Sequence, residues 1–498
     1  MTSTSMNFRS AVPGRFSFRA APAARWWVLV VLAIAQLMVV LDSSVVNIAL
    51  PEAQRSLHFV DADRQWIVTG YALAFGSLLL VGGRLGDMFG RRIAFFVGLA
   101  GFAVASGIGG AATSFGVLVT ARISQGVFGA LLTPAALALL TVTFADSAER
   151  TRAVGLFAAI AGSGGALGLL LGGALTEWAS WRWAMYINIV FAAVALLGAA
   201  LLLDRDGTRH RPALDLPGVV TATAGLFSVV YGFSRAESHG WSDALTIGFL
   251  GAGVILLAVF VTIQARVRHP LLPLRILINR ARASAYIVVL LVGLGMFALA
   301  LFLTYYLQMI RSYTPMVTGV AFLPLIAALM ATSAAIPTLL EPRIGAKATV
   351  ASGFLLAAMG TAWLTRIGTD TGYASHLLPG LILIGAGIGA AVGVAFQSAT
   401  ANVLPEDAGV ASATLNTMQQ VGGSIGTALL STVAATAASD YVVGHNSDPF
   451  VLQHSAIHSY IVVFWWVAVT FAAGAVLLAA LIPNSIRTSD DGEIVAML

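Results

Sequence analysis

The 498-residue sequence contains no cysteine, which excludes disulfides, thiolate metal sites and cysteine nucleophiles. Its eight histidines occur in no HExxH motif or other metal-ligand spacing. A GxxxxGK[ST] phosphate-binding loop is also missing, so nothing in the sequence indicates that ATP supplies the energy. We therefore expect no metal, no cofactor and no catalytic constellation of an enzyme.

Charge is scarce as well: 10% of the residues are charged, whereas 58% are hydrophobic. A soluble chain of this length needs far more charge to cover its surface, so the expected solvent is lipid. The 27 basic residues slightly outnumber the 22 acidic ones. In a membrane protein this excess is typical of cytoplasmic loops, and we expect no nucleic-acid partner.

Long apolar segments are what the sequence has in abundance. A membrane-spanning helix needs roughly 20 mostly apolar residues, and fourteen segments meet this length. Loops between them are short, so an appended soluble domain is not expected. The sequence predicts an all-α polytopic membrane protein with spans at 26–49, 66–85, 93–112, 115–140, 151–174, 183–203, 215–234, 245–265, 284–309, 317–340, 348–366, 377–402, 408–437 and 459–482.

The distribution of basic residues supports this count. If the N-terminus is cytoplasmic, the cytoplasmic loops and tails hold 20 of the Lys and Arg residues, the outer loops hold 6, and Arg122 lies within a span. Such a bias favours an even number of spans with both termini in the cytoplasm. We expect a multi-pass protein of the inner (plasma) membrane.

A weak internal repeat indicates two related halves. The segment 83–92 after the second span and the segment 341–347 after the tenth both combine glycine with cations. If these two segments occupy equivalent positions, the two halves consist of spans 1–6 and spans 9–14. Spans 7 and 8 are then inserted between the halves. The predicted regions are a cytoplasmic tail 1–25, an N-terminal bundle 26–203, an inserted pair with linker 204–283, a C-terminal bundle 284–483 and a cytoplasmic tail 484–498.

Asp42 and Arg122 are the ionisable residues that matter most, because charges inside spans usually mark ion or substrate pathways. Asp42 lies about 21 Å along the first span from Val28, and Arg122 lies roughly 10 Å below the outer end of the fourth. Since the two depths agree, we expect both side chains to face one water-accessible cavity.

A carboxyl group in that position can serve as a proton carrier. Burial favours its neutral form and a nearby arginine favours its charged form, so a balance between them lets it take up and release a proton. A cationic substrate that competes for the carboxylate would couple export to proton entry. The alternative is a static Asp42–Arg122 pair that locks the two helices together.

The segment 83–92 carries Gly83, Asp87, Gly90, Arg91 and Arg92. The glycines permit tight turns, Asp87 can accept bonds from amides at a helix start, and the arginines can meet anionic lipid or inner carboxylates. We interpret this segment as a cytoplasmic gate between the halves. Topological anchoring alone is the alternative.

The fifth span has a bare glycine face. Gly164, Gly168 and Gly172 are spaced at i, i+4 and i+8, with Gly173 beside them. Such a face lets another helix approach closely, either as a sliding surface or as plain close packing.

Further polar side chains inside spans either line a substrate cavity or bond neighbouring helices. The candidates for the cavity are Asn47, Gln125, Tyr305, Gln308, Asn416, Gln419 and Gln420.

Several of these segments together resemble the fourteen-helix drug:proton antiporters of the major facilitator superfamily. The segment 41–51 is similar to the first-helix signature of that branch, and 83–92 to the cytoplasmic loop motif of the superfamily. Also similar are the fourth-helix motif of Arg122, Gln125, Gly126 and Gly129, and the sixth-helix pattern of Trp181, Arg182, Trp183, Ile187 and Asn188. Two prolines of the pattern are missing, since Leu169 follows Gly168 and Val190 stands two residues after Asn188.

The resemblance implies two six-helix bundles plus two inserted helices, working by alternating access. It implies export of small amphipathic molecules such as drugs or antibiotics, with Asp42 as the coupling acid and Arg122 in proton transfer. The expected partners are a small-molecule substrate, protons and membrane lipids, and the expected unit is a monomer. A proton-coupled importer on the same fold, or a membrane sensor that no longer transports, are the alternatives.

Overall fold

The computed structural model describes residues 22–60, 63–144, 147–203, 215–267, 270–400, 408–445 and 450–482. Within these ranges the chain is almost entirely helical and has no strand. A short helix, Leu274–Ile278, lies in the linker before α9. The fourteen long helices are α1 (Pro22–Leu57), α2 (Gln65–Phe89), α3 (Arg91–Gly110), α4 (Phe115–Thr143), α5 (Ser147–Trp178), α6 (Trp183–Leu202), α7 (Leu216–His239), α8 (Ala244–Arg266), α9 (Arg280–Tyr305), α10 (Pro315–Leu339), α11 (Glu341–Leu364), α12 (Leu378–Thr400), α13 (Ala408–Gly444) and α14 (Val451–Leu481).

These fourteen helices correspond one to one to the fourteen predicted segments. Over the described residues, twelve are long and apolar enough to cross a membrane. The other two are α2, whose apolar part is the shorter stretch 65–79, and the glycine-rich α5. The all-helical, multi-pass membrane fold is confirmed.

The helices pack as two groups joined along two seams. In the first group α4 packs on α2 and α3, and α1 packs on α5 and α6. In the second, α9 packs on α13, α12 on α10 and α11, and α14 on α11. The groups meet where α2 packs on α13 and where α5 packs on α10. The hairpin of α7 and α8 lies outside both groups, with α7 against α13 and α2.

The two ends of the helices need names. We call the end at which α1 finishes and α2 begins the α1–α2 face, and the opposite end, at which α2 finishes and α3 begins, the α2–α3 face. The predicted tails 1–25 and 484–498 fall mainly outside the described residues.

The segment 83–92 differs from the predicted loop. Helix α2 continues to Phe89 and α3 starts at Arg91, so Gly90 alone makes the turn, at φ 102°. Gly345, which lies inside α11 shortly after α10 ends, kinks that helix with a φ of 83°. Positive φ favours glycine, and its use at both places gives the weak sequence repeat a physical basis.

The roles predicted for two residues of this segment change accordingly. Gly83 lies inside α2, where a Cβ would be 3.6 Å from Cβ of Pro134 on α4, so it makes no turn. Asp87 lies in the last turn of α2 rather than at a helix start, and its side chain is outside the described part. Arg91 and Arg92 are half-buried, and the guanidinium carbon of Arg92 lies 5.1 Å from the centre of the Phe96 ring.

The linker after α8 is tied to both the hairpin and α2. Asp215 accepts a bond from Gly218 N (2.9 Å) and one from Gln264 Nε2 (2.6 Å), while Gln264 Oε1 accepts from Leu272 N (3.0 Å). From α2, Arg84 donates to Pro270 O at 2.8 Å. The inserted pair is thereby held next to the α2–α3 turn.

At the α1–α2 face the hairpin is closed by Asp243, the N-cap of α8. Its Oδ2 accepts from Arg235 Nε (2.8 Å) and from Thr246 N (3.0 Å). The bond from Arg235, followed by that from the Thr246 amide, lowers the pKa of Asp243 below its ordinary value. The ionised carboxylate therefore stabilises the folded protein, fully so at a pH above the pKa that Asp243 has in the unfolded chain. This stabilisation is lost as the pH falls through the lower pKa of the folded state.

We expect Asp243→Asn to lower the thermal denaturation temperature in detergent by about 1 °C at pH 7, because the pair is partly exposed. The difference from wild type should disappear at a pH below the folded pKa of Asp243. Asp370→Asn is the matched control, since that side chain is fully exposed and lies 4.0 Å from Arg311. An Asp243 effect that persists unchanged in acid would mean that the carboxylate charge is not its source.

Candidate proton-coupling site and cavity

Asp42 and Arg122 form a direct ion pair between α1 and α4. Arg122 Nη1 lies 2.5 Å from Asp42 Oδ2, and both side chains are almost completely buried. The two independent depth counts therefore placed them correctly at one level. Isolated charges at such a position are strongly disfavoured, so their mutual contact is what makes burial of both possible.

Two amides complete the shell around the carboxylate. Asp42 Oδ1 accepts from Asn188 Nδ2 on α6 (2.6 Å) and from Gln125 Nε2 on α4 (3.0 Å). Ser106 Oγ on α3 accepts from Gln125 Nε2 (2.7 Å) and from Asn188 Nδ2 (3.3 Å). One carboxylate thus holds together side chains from α1, α4 and α6, with α3 behind them.

Arg122 is held from α2 as well. Its Nε donates to Ile67 O at 3.2 Å, and its Nη1 also donates to Gln125 Oε1 at 2.8 Å. Its guanidinium carbon lies 4.3 Å from the centre of the Tyr71 ring, a cation–π distance. Arg122 is therefore held by α1, α2 and its own helix α4, while α3 and α6 contribute to the same cluster through Ser106 and Asn188.

The arrangement has a clear chemical consequence. A carboxylate accepts from all these donors at once, whereas a protonated acid has one acceptor position fewer and no charge to balance Arg122. Protonation of Asp42 would weaken its bonds to α4 and α6 together. The proton occupancy of one atom is thus linked to the packing of several helices.

The predicted exposure of this pair to a water-accessible cavity is wrong for this conformation. Asp42 has none of its surface exposed and Arg122 has 1%. A small cavity beside the cluster is lined only by apolar side chains: Val46, Ala49, Leu50, Ala53, Ile67, Leu118, Trp181, Ala184 and Met185. Apolar cavities stay dry, so this one offers no proton path.

Contacts between the two groups close the α1–α2 face. Tyr305 of α9 donates from its hydroxyl to Gln54 Oε1 at 2.5 Å, and Gln308 Nε2 donates to Ile48 O at 3.0 Å. Gln308 lies in a wide π-helical turn, Tyr306–Ile310, that ends α9. Tyr305 and Gln308, predicted as cavity candidates, are instead buried in this closure.

Arg64 and the end of α5 extend the same closure. The guanidinium carbon of Arg64 lies 4.3 Å from the ring centre of Tyr305 and 5.3 Å from that of Phe302. At the start of α10, Met316 N donates to Glu177 Oε2 at 3.0 Å. The protein is therefore closed at its α1–α2 face, with cations, amides and rings forming the contacts.

The remaining cavity candidates lie in two environments. Gln125 belongs to the Asp42 cluster and has no exposed surface. Asn47 is half-buried on α1 and donates to Ser43 O at 3.1 Å. Asn416, Gln419 and Gln420 are half-buried on α13. Their assignment to a substrate cavity stays a prediction.

The glycine face of α5 is in close contact with α1. A Cβ on Gly164 would lie 3.0 Å from Cβ of Val40, and one on Gly172 2.9 Å from Cα of Val45. Gly173 faces the other group, where a Cβ would lie 2.6 Å from Cα of Met316. The predicted close approach is thus observed, while a sliding role stays a prediction.

Gly168 gives a test of that role, because it packs beside the segment that carries Asp42. A Cβ there would be 2.7 Å from Cβ of Ser44 and 2.9 Å from Leu41 O, so Gly168→Ala must displace α1. Overpacking of this kind destabilises by about 1–3 kcal/mol, and we expect drug efflux to fall about tenfold. Gly165→Ala is the control, since its new methyl group would meet only Ile326 Cδ1, at 3.9 Å. Equal efflux from the two variants would contradict a role for the contact.

Three members of the cluster were not predicted as site residues: Tyr71, Ser106 and Asn188. The sequence could have indicated Asn188, because an amide side chain in the middle of a membrane span needs a hydrogen-bond partner. Ser106 and Tyr71 are ordinary residues in helices, and only the rotation of α3 and α2 shows that they face the pair.

The chain is similar to known transport and resistance proteins. Residues 32–427 match the family model described as Major Facilitator Superfamily. The chain is 47% identical over 476 residues to the puromycin resistance protein pur8 of Streptomyces alboniger, covering 95% of this chain and 93% of that protein. It is 37% identical over 431 residues to the cephamycin export protein CmcT of Amycolatopsis lactamdurans, covering 85% and 88%.

Solved structures show the same fold at low sequence identity. A crystal structure of an auto-inhibited POT family peptide transporter superposes with a TM-score of 0.67 at 15% identity, covering 94% of this chain and 99% of that one. A bacterial homologue of the human lysosomal transporter Spinster, inward-facing and unoccupied, gives 0.62 at 15% identity, covering 93% and 98%. With its two helix groups and its family match, this chain belongs to the major facilitator superfamily.

Proposed function

We propose that this protein is a proton-coupled antiporter that exports small amphipathic drugs or antibiotics across the plasma membrane. The observation that carries the proposal is the buried carboxylate of Asp42, bonded to Arg122, Gln125 and Asn188. Burial of a charged side chain within a span is unfavourable, and such residues usually mark ion or substrate pathways, which supports a role for Asp42 in carrying protons. The relatives named for resistance and export support the direction and the substrate class.

The orientation follows from the basic residues. With both termini in the cytoplasm, the α2–α3 face is cytoplasmic and the α1–α2 face is outer, as the excess of arginine predicts. The closed α1–α2 face then corresponds to a conformation shut to the outside. Segment 83–92, with Gly83, Asp87, Gly90, Arg91 and Arg92, would gate the cytoplasmic side, and lipid headgroups would meet its arginines.

One cycle can be written from these parts. Outer protons reach Asp42 when the α1–α2 face opens, and protonation weakens its bonds to α4 and α6. The halves then close outside and open inside, where the proton leaves and a cationic drug replaces it near the carboxylate. When the α1–α2 face opens again, the drug leaves to the outer solution and a new proton binds Asp42. Asn47, Asn416, Gln419 and Gln420 are the polar side chains we assign to the drug cavity, and a monomer suffices.

Resistance and transport test this function together. Expression in a drug-sensitive host should raise the inhibitory concentration of puromycin and of some antibiotics in a panel, and an uncoupler should remove the effect. Puromycin comes first because of the 47% identical relative. Cells that accumulate the drug faster than the empty-vector host would support the importer alternative instead. No change in resistance or uptake for any compound would contradict a transport function of this class.

A further inference from the structure

The seam between α2 and α13 contains a stripe of buried hydroxyls. On α13 the stripe consists of Thr417, Ser424, Thr427 and Ser431, each more than nine-tenths buried. Together with Gln420 they are spaced 3, 4, 3 and 4 residues apart, which places them on one face of the helix. Thr69 of α2 is equally buried and adds a hydroxyl from the other side.

These hydroxyls make no hydrogen bond within the described part of the chain, and neither does Oε1 of Gln420. Other threonines of α13 behave differently: Thr414, Thr432 and Thr436 each donate to the carbonyl one turn earlier. The stripe hydroxyls therefore differ from their neighbours in that they do not bond the carbonyls of their own helix. A buried polar group without a partner is unfavourable by about 1–3 kcal/mol, so several in one seam call for a polar occupant.

The register of the two helices makes the stripe continuous. A Cβ on Gly76 would lie 2.9 Å from Cβ of Gln420, which fixes the level at which the antiparallel helices cross. Thr69 lies seven residues before Gly76 on α2, and Thr427 lies seven residues after Gln420 on α13. Both are therefore about 10 Å from the crossing point, towards the α1–α2 face. Ser431 lies one turn further towards the α1–α2 face, so the stripe runs from near that face to the middle of the membrane.

Helix α7 separates this seam from lipid. Leu73 of α2, Val230 of α7 and Ala428 of α13 form a small apolar cluster beside the stripe. The hydroxyl of Thr432 of α13, which can donate to Ala428 O, also lies within hydrogen-bond distance of Phe233 O of α7, at 2.9 Å. Polar side chains facing hydrocarbon would be disfavoured, so the inserted helix provides the wall that a polar seam needs.

We propose that this hydroxyl stripe is a water-binding track, which fills from the outer solution when the halves separate and carries water and protons inward to Gln420. The inference rests on the proposed function for the direction of opening, and it assigns the inserted helix α7 the role of lipid seal. Water is the occupant that fits, because a hydroxyl both donates and accepts and one water satisfies two or three such groups.

Thiol labelling tests the track directly, since the natural chain has no cysteine. Ser431→Cys, Thr427→Cys and Ser424→Cys should react with a charged, membrane-impermeant methanethiosulfonate added outside, in that order of decreasing rate. A thiol reacts as thiolate and therefore needs water. Leu430→Cys is the control on the same helix, because Leu430 is buried in the core of the C-terminal group, and it should react at least about tenfold more slowly.

Labelling of the stripe positions no faster than Leu430→Cys would overturn the proposal. Because labelling is read on the protein itself, it is independent of drug transport, so fast labelling without any efflux would refute the proposed function and leave the track in place.

A second variant removes the hydroxyls and keeps the packing. In a dry contact, loss of unpartnered hydroxyls is neutral or stabilising, and Ser424→Ala combined with Thr427→Val would leave efflux unchanged. A water track predicts about fivefold slower proton-driven efflux at an equal amount of protein in the membrane, since the stripe loses two of its water-binding groups. Thr414→Val is the control, because that hydroxyl is bonded to Val410 O, and its efflux should equal wild type. Wild-type efflux from the double variant would contradict the proposal.

Discussion

Replacing Asp42 with asparagine is expected to reduce proton-driven efflux by about 100-fold or more, the scale of effect that positioned proton-transferring side chains have. Asparagine has nearly the same shape but cannot gain or lose a proton. Its oxygen, in the Oδ1 position, can still accept from Asn188 and Gln125, while its NH₂ group would oppose the Nη1 donor of Arg122. The measurement is drug efflux from everted membrane vesicles, driven by an imposed proton gradient.

Two controls make this result specific to coupling. Drug–drug exchange without a proton gradient should survive in Asp42→Asn, because it needs the cavity but no proton cycle. Asp215→Asn is the matched variant, since Asp215 is a second buried carboxylate, placed at the start of α7 and away from the cluster. It should retain gradient-driven efflux, because asparagine caps a helix about as well as aspartate does. Gradient-driven efflux at the wild-type rate in Asp42→Asn would refute the coupling role.

Removal of the partner cation is expected to have the second-largest effect. In Arg122→Ala the carboxylate of Asp42 keeps its amide donors but loses its ion-pair partner, and an uncompensated buried charge is unfavourable by about 3–5 kcal/mol. The missing cation leaves the charge of the carboxylate unbalanced, so the steps of the cycle that involve Asp42 should change. We expect the pH profile of efflux to change its position on the pH axis, with a lower maximum rate.

The position of the pH profile of efflux distinguishes a change in proton coupling from a simple loss of folded protein. Arg122→Lys retains the charge and should shift the profile less than Arg122→Ala, although it loses the bidentate geometry. Arg182→Ala is the control, because Arg182 donates to the carbonyls of Gly110 and Ala112 and has no contact with the cluster. A profile of unchanged position in Arg122→Ala, at whatever maximum rate, would favour the static pair that only locks α1 to α4.

The fold was largely predictable from the sequence. Apolar length determines the helices, because the backbone in lipid must satisfy its hydrogen bonds internally. The prediction of a loop at 83–92 was wrong because the backbone conformation of one residue, Gly90, determines where α2 ends. Helix α2 continues through Gly83 and Gly86 to Phe89 although glycine disfavours a helix, and only Gly90 adopts the positive φ that ends it.

The site was predictable in part. The depths of Asp42 and Arg122 follow from a constant rise per residue, which is why two separate counts brought them together. Whether a side chain at a given depth faces a cavity or a neighbouring helix depends on helix rotation, which a uniformly apolar helix does not encode. Gln125 therefore proved to be a ligand of Asp42 rather than a free cavity amide.

The closure of the α1–α2 face shows the same limit. Tyr305 and Gln308 are polar residues at the end of a span, and from sequence alone they are equally compatible with a cavity or a gate. Tyr305 lies just before the π-helical turn Tyr306–Ile310 and Gln308 lies within it, and their side chains bond Gln54 and Ile48 of α1. Such wide turns often occur at functional sites, but no residue pattern announces this one.

Proton release on drug binding tests the central claim most directly. The purified protein, in weakly buffered detergent solution with a pH-sensitive dye, is mixed with the drug found in the resistance screen. If the drug displaces the proton of Asp42, wild type and Asp215→Asn acidify the solution on binding, whereas Asp42→Asn binds without acidification. Equal acidification by Asp42→Asn would show that the exchanged proton resides on another group and would contradict the account.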